Sequence, residues 1–304
     1  MIESPSVSVV VATHGRPQLL RRALAAIDAS VYDGPLEVVV VADCEEPDHS
    51  LARTDAARPV RVAANTRAPG LAGARNTGIL AATGELVAFC DDDDAWRPEK
   101  LRRQVALLTD PAVGVVTTGI AVHAKDKVHE RVLDSDRVTT ADLTRSRVTE
   151  AHPSSFLVRR SLLLGPIGLV DEELPGSYGE DYEWLLRASR VTEVAVVQEP
   201  LVDVYWHEGS YFAERWRTIV AALDHLLDAC PELASDGPGR ARIEAQQAFA
   251  HAALGERGDA RRLALRALGR APGQRRAWLA LAVSSRMVTA DRVVRLAASR
   301  GRGI

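Results

Sequence analysis

Apolar runs and polar breaks alternate along the first third of the chain with two distinct periods. The stretches "VSVVVAT" (7–13), "LEVVVVAD" (36–43), "VRVAA" (60–64) and "ELVAFC" (85–90) predict four strands, the first a β-branched run. The first is apolar on both faces, which predicts a strand inside a sheet, and the second reads as another buried strand. Between the first two, "RPQLLRRALAAIDAS" places Leu19, Leu20, Ala23, Leu24 and Ile27 on one side of a helix. "GLAGARNTGILAAT" (70–83) opens on glycines and continues at helical spacing. Such alternation predicts a largely parallel sheet with helices on both faces.

From 112 to 135 the pattern becomes β-like ("GVVTTGIAVHA", "KVHERVLD"), which predicts mixed or antiparallel strands. "GEDYEWLLRASR" (179–190) predicts a helix, and "EVAVVQ" and "LVDVYWHE" predict two further strands. Past Tyr211 the chain reads as helical, starting with "ERWRTIVAALDHLLDAC". "PELASDGPGR" has a linker's composition. The expected organisation is an α/β domain over 1–230, a linker over 231–240, and an all-helical extension over 241–304. Its Gly-Asp and Pro-Gly breaks suggest helical hairpins of the tetratricopeptide type.

Composition narrows the class. A chain of 304 residues with 46% hydrophobic and 26% charged residues supports a substantial core. No apolar run reaches bilayer-spanning length, and "MIESPSVSVV" lacks the features of a signal peptide. Cys44, Cys90 and Cys230 are far apart and odd in number, which suits buried thiols in a reducing compartment and sets the expected location as cytoplasmic. From Gly237 onward, fourteen arginines against four acids give +10, so the rest of the chain carries −13 of the net −3. The basic extension reads either as a solvated helical face or as a surface for an acidic partner, nucleic acid or anionic lipid.

Three polar signals fall where strands end: Thr13 to Arg16, Asp43, and the run Asp91 to Asp94. In open α/β sheets ligands bind beyond the carboxyl ends of strands. A lone strand-end Asp such as Asp43 is ordinarily a turn or cap residue. Four consecutive carboxylates exceed what a cap needs, although Asp93 or Asp94 could cap a helix beginning near Trp96 with Pro98 in its first turn. A divalent cation, Mn²⁺ or Mg²⁺, explains the run, since such ions take carboxylate oxygens together with substrate phosphates. "ATHGRP" has a single glycine, which excludes the dinucleotide-binding fingerprint at the first turn, and a P-loop is absent too.

The ordered set "VSVVVATHGRPQLLRRAL", "EVVVVAD", "PGLAGARNTGILAATGELVAFCDDDDAWRPEKL", "HPSSFLVRRSLLLGPIGLVDEEL" and "GEDYEWLLRAS" closely resembles the family 2 glycosyltransferases of the GT-A fold. The resemblance covers about residues 5–215 and leaves the helical extension outside. It implies a Rossmann-like, mainly parallel sheet that binds a nucleoside-diphosphate sugar, with a UDP-sugar favoured, and an inverting transfer assisted by Mn²⁺ or Mg²⁺. Thr13 and Arg16 match the turn that contacts the nucleotide. Asp43 matches the carboxylate that accepts the base imide N–H, but "ADCEEPD" departs from the more usual "DDGSxD" and leaves the base open. Arg75 and Asn76 match positions near ribose and phosphates, the alternative for Arg75 being an ordinary helix ion pair. Asp91 and Asp92 would face ribose and donor, Asp93 would hold the metal, and Asp94 would be a further contact or the cap.

Glu180-Asp181 alone would be a favourable pair at a helix start. The resemblance makes it the family's "ED" element, with Asp181 as general base. His207 matches a loop over the diphosphate, with metal or phosphate contact. Ser154, Glu180 and Trp184 are the acceptor-side candidates, and His152 and Ser155 could also reach the acceptor. Saccharide, natural product and peptide acceptors all stand open. A homodimer through the C-terminal helices is expected, and nucleic acid is not. Two rival readings remain: a sugar-1-phosphate nucleotidyltransferase, which lacks its Gly-rich basic loop here, and a non-catalytic sugar-nucleotide scaffold.

Overall fold

The computed structural model describes residues 4–54, 57–124, 127–205 and 215–298. They divide into two compact units: 4–140, 148–172 and 180–205 in one, 141–147, 173–179 and 215–298 in the other. The strands of the first unit are β1 (Val7–Thr13), β2 (Leu36–Ala42), β3 (Val60–Ala64), β4 (Leu86–Phe89), β5 (Asp94–Trp96), β6 (Val113–Ala124), β7 (Lys127–Arg131), β8 (Arg137–Val138), β9 (Leu157–Arg159) and β10 (Glu193–Tyr205). Up to residue 191 the helices are α1 (Pro17–Asp28), α2 (Leu71–Ala81), α3 (Lys100–Leu107), α4 (Thr140–Arg145), α5 (Arg160–Leu163) and α6 (Glu180–Val191).

All ten strands form one mixed sheet in the order β3-β2-β1-β4-β9-β6-β10-β5, with β7 beside β6 and β8 beside β10. β3, β2, β1 and β4 are parallel, β9 is antiparallel to both β4 and β6, and β10 runs parallel to β6. The β-branched runs fill the sheet interior, and α1 contributes Leu20, Ala23, Leu24 and Ile27 to the same core. Pairing Thr13 with Ala42 and Val10 with Phe89 brings the three polar strand ends to one edge. Chain order reverses there, between β1 and β4, which is the topological switch point where α/β sheets bind ligands.

Two expectations change in this unit. The strands expected from "EVAVVQ" and "LVDVYWHE" are one thirteen-residue strand, irregular in register on both sides of Pro200. Proline has no N–H for the ladder, so it sits where the ladder is already broken. The helix expected near Trp96 starts at Lys100, because Asp94 to Trp96 pair antiparallel with Val202 to Val204. Neither Asp93 nor Asp94 therefore caps it.

The "GLAGARN" stretch depends on glycine twice. Gly70 sits before α2 at φ +114°, in the left-handed region, and a Cβ at Gly73 would collide with the Ala68 carbonyl oxygen. This close approach fixes the first turn of α2, just ahead of Arg75.

The second unit takes nearly all of α4 and, from residue 215 onward, the helices α7 (Trp216–Ala229), α8 (Pro231–Ser235), α9 (Gly237–Ala253), α10 (Arg257–Arg270), α11 (Arg275–Ser284) and α12 (Ala290–Ala298). Residues 231–240, expected as a linker, are mostly helical. Pro231 and Pro238 occupy first-turn positions that need no N–H, and Asp236 caps α9 by accepting from the Gly239 N–H at 2.5 Å. An alanine-rich core (Ala241, Ala245, Ala248, Ala264, Ala267, Ala277, Ala280) joins α9, α10 and α11 around Phe249. Part of the extension's positive charge is used internally. Glu244, 1% exposed, pairs with Arg240 at 3.2 Å, Arg266 at 2.9 Å and Arg270 at 2.8 Å. Among the described residues no helix is long and apolar enough to cross a membrane.

Candidate functional site

The acidic run leaves β4 and doubles back at once, with the Asp94 N–H donating to the Asp91 carbonyl at 3.1 Å. A turn of this kind brings its first and fourth residues together and sends the two corner residues elsewhere. Asp92 and Asp93 accordingly face the β1 turn: Asp92 accepts from the Thr13 hydroxyl at 2.8 Å, and Arg16 pairs with Asp92 at 3.3 Å and Asp93 at 2.8 Å. Arg22 of α1 fixes the corner by donating to the Asp93 carbonyl at 2.5 Å.

Asp91 and Asp94 meet His152 instead. Ligand atoms of the three lie within 4.8 Å of one another, close enough for one cation to reach all three. The donor set suits a hard divalent cation, with carboxylate oxygens and one imidazole. Burial pushes the Asp94 carboxyl well above its usual range, Asp91 adding to the effect, and Asp94 is 1% exposed. Burial also lowers His152, which favours the neutral imidazole that ligates metals. A buried carboxylate so poorly compensated by protein cations fits a site for Mn²⁺ or Mg²⁺. Asp93, the expected ligand, is directed to Arg16, and His207 lies outside the described residues.

Ser154 binds this cluster together. Its hydroxyl donates to Asp94 Oδ2 at 2.6 Å and accepts from the Asp91 N–H at 2.9 Å. Expected at the acceptor, Ser154 is 0% exposed and committed to the acidic turn. Ser155 is likewise fully buried, bonded to Thr117 and the His152 carbonyl.

Arg75 joins the acidic turn to the start of α6. It is 4% exposed and forks between Asp91, at 2.7 Å, and Glu180. Burial alone would lower its pKa, but Asp91 and Glu180 outweigh that and hold it well above the usual guanidinium value. This is a buried bridge rather than a surface helix ion pair. Asn76 is also buried, its amide exchanging hydrogen bonds with the Val170 backbone at 2.8 and 2.9 Å and donating to Glu172 at 2.6 Å. Asp43 accepts from Asn65 at 2.7 Å and from the Gly70 N–H at 3.0 Å, so its carboxylate anchors the entry to α2.

Asp181 lines a small cavity with Arg75, Glu180, Phe89, Pro153, Phe156, Val170 and Trp184. Trp184 is 2% exposed, and its indole N–H donates to the Gly168 carbonyl at 3.2 Å. One recess thus contains the expected base, an ion-paired framework and aromatic walls.

Burial pushes Asp92 up to about 6, with Asp93 adding to the rise and the Thr13 hydroxyl opposing it. The native state then holds a proton that the unfolded chain keeps only below about 3.9. This carboxyl's contribution to stability is fully present below that value and is lost as pH rises through about 6. Between about pH 7 and pH 4 the metal-free wild type should therefore gain melting temperature relative to Asp92→Asn. Parallel curves for the two proteins would reject the shift.

The family described as Glycosyl transferase family 2 matches residues 8–164, just over half of the chain. Curated relatives include an uncharacterized glycosyltransferase, alr2836, of Nostoc sp., 31% identical over 45% of this chain and 44% of its own length. Succinoglycan biosynthesis protein ExoO of Rhizobium meliloti is 39% identical over 33% of this chain and 29% of its own. The chain thus matches less than half the length of either relative. Among solved structures, a fragment of S. aureus TarS in complex with UDP-GlcNAc aligns with TM-score 0.60 and 18% identity over 98% of this chain and 92% of that one. Mannosyltransferase PcManGT from Pyrobaculum calidifontis, in complex with GDP-Man and Mn²⁺, aligns with TM-score 0.59 and 21% identity over 94% and 81%. Likeness at these identities establishes the GT-A fold, and the sequence match carries the assignment further: the chain belongs to glycosyl transferase family 2.

Proposed function

We propose that the protein is a metal-dependent, inverting glycosyltransferase that moves a sugar from a nucleoside-diphosphate sugar, UDP-linked in the first instance, to an acceptor nucleophile. The observation that carries this reading is the Arg75 bridge, which ties the acidic turn at Asp91 to Glu180, the neighbour of Asp181. A donor-side cluster and a candidate base are thereby held in one recess at the sheet edge.

In this reading Thr13, Arg16, Asp43 and Asp92 serve the nucleotide, and Asn76 positions the chain beside Arg75. Asp91, Asp94 and His152 would hold Mn²⁺ or Mg²⁺, which when bound neutralises the diphosphate and aids its departure. Asp181 takes the acceptor proton as the new bond forms to the anomeric carbon and the bond to the diphosphate breaks, inverting the configuration. The apolar walls at Phe89, Phe156 and Trp184 exclude water and offer faces to a sugar. The TarS and PcManGT complexes with UDP-GlcNAc and GDP-Man support a nucleotide-sugar donor. The reaction belongs in the cytoplasm, where the three free cysteines stay reduced. A homodimer through the extension would cover Leu265, Trp278 and Leu296, each more than half exposed, and a monomer mass by light scattering would rule it out.

The test is a thermal-shift screen of UDP-, GDP- and ADP-sugars with and without Mn²⁺, followed by a diphosphate-release assay. A Mn²⁺-dependent rise with one sugar nucleotide is expected. Turnover of a nucleoside triphosphate with a sugar 1-phosphate instead would establish the nucleotidyltransferase reading and defeat this one.

A further inference from the structure

Lys100 opens α3 with a side chain that is 0% exposed. Its Nζ has no hydrogen-bond partner among the described residues and rests on the indole face of Trp96, 3.6 Å from the ring centroid. Burial brings its pKa down to about 7, with the buried Cys90 thiol as the titratable neighbour that opposes the fall. A buried ammonium without a carboxylate is costly, and an apolar side chain of the same length would pack there more cheaply.

The indole beneath Lys100 leads through its N–H to the 152–155 turn. Trp96 Nε1–H donates to the Ser154 carbonyl at 2.9 Å, and a cation over the ring face strengthens that donor. Ser154 belongs to the Pro153–Ser155 turn, whose preceding residue is His152 and whose hydroxyl bridges Asp91 and Asp94. The next turn of α3 supplies a second strut, Gln104 donating to the Ser155 carbonyl at 2.6 Å.

We propose that Lys100 is a positioning residue of the cation site: seated on Trp96, its ammonium fixes the indole whose N–H holds the 152–155 turn, and with it His152 and Ser154, against Asp91 and Asp94. The metal role of those residues rests on the reading above; the mechanical coupling does not.

Two readouts on the full chain test this. In the metal-free protein, Lys100→Met should speed hydrogen exchange of the Trp96 indole N–H, assigned by its loss in Trp96→Phe, by about tenfold or more. Mn²⁺ affinity, measured by calorimetry, should weaken about tenfold in Lys100→Met and in Trp96→Phe, the scale of effects from partners behind a metal ligand. The double variant should weaken it no further, because the two side chains act in series. The melting temperature of Lys100→Met should stay level or rise. Unchanged indole exchange, or Mn²⁺ affinity within twofold of wild type, would overturn the proposal, as would a fall in melting temperature with both readouts intact. Should Lys100→Met not fold, Lys100→Gln removes the charge with a polar side chain one heavy atom shorter, with the same outcomes expected. If the wild type binds no Mn²⁺, the metal reading fails separately and the indole measurement alone decides the role of Lys100.

Discussion

Asp181→Asn is expected to lower kcat about a thousandfold while leaving donor affinity within a factor of about two, the range seen when a positioned general base is lost. Asparagine matches the carboxylate in size and polarity, so the recess keeps its shape, but it cannot take a proton. The groups that hold the donor side lie elsewhere, on the acidic turn and the β1 turn, and Glu180 keeps its bond to Arg75. A loss confined to kcat therefore separates a base from a binding residue. The defect should shrink for an acceptor that ionises more easily, such as a thiol, because less base assistance is then required. Diphosphate release at saturating donor, beside calorimetric donor binding, measures both halves. A kcat within tenfold of wild type would remove Asp181 from the chemistry.

Much of this site is visible in the chain because strand ends are local. β1 and β2 are β-branched runs, β3 and β4 are shorter strands, and three of the four end in polar residues within a few positions of where the sheet stops. Parallel registration then forces those ends to one edge, so Thr13, Arg16, Asp43 and the acidic run could be grouped without coordinates. What stays hidden depends on geometry finer than the run or on pairing distant in sequence. The division of four aspartates into Asp91 with Asp94 and Asp92 with Asp93 follows from one hydrogen bond across the turn. His152 comes within 3.4 Å of Asp94 because β9, far downstream of the acidic run, inserts antiparallel between β4 and β6, and periodicity carries no trace of that choice. The same holds for Trp96, whose pairing with Val202 extends the chain where its composition suggested a helix. In the extension, arginine content alone suggested a basic surface, and no local pattern announces that Glu244 gathers three of those arginines.

The largest stability effect is expected from Arg75→Met. The guanidinium is 4% exposed, and it is the shared partner of Glu180, itself 5% exposed, and Asp91. Removing it takes the guanidinium away from a buried Glu180 and a partly buried Asp91. Breaking a buried pair in this way costs about 3–5 kcal/mol, a large share of the roughly 5–15 kcal/mol that holds a domain folded. A fall in melting temperature of about 10 °C is the corresponding shift for a chain of this size. Arg75→Lys should recover only part of it, since one ammonium cannot reproduce a planar fork that reaches two carboxylates at once. Arg75→Met/Glu180→Gln should recover more, because it removes the charge of the more deeply buried of the two carboxylates, while transfer stays weak in both variants for want of the bridge. Urea unfolding of wild type and the three variants tests the whole chain of reasoning. If Arg75→Met unfolds at the wild-type midpoint, the bridge carries neither stability nor the alignment of Glu180 and Asp181 with the acidic turn.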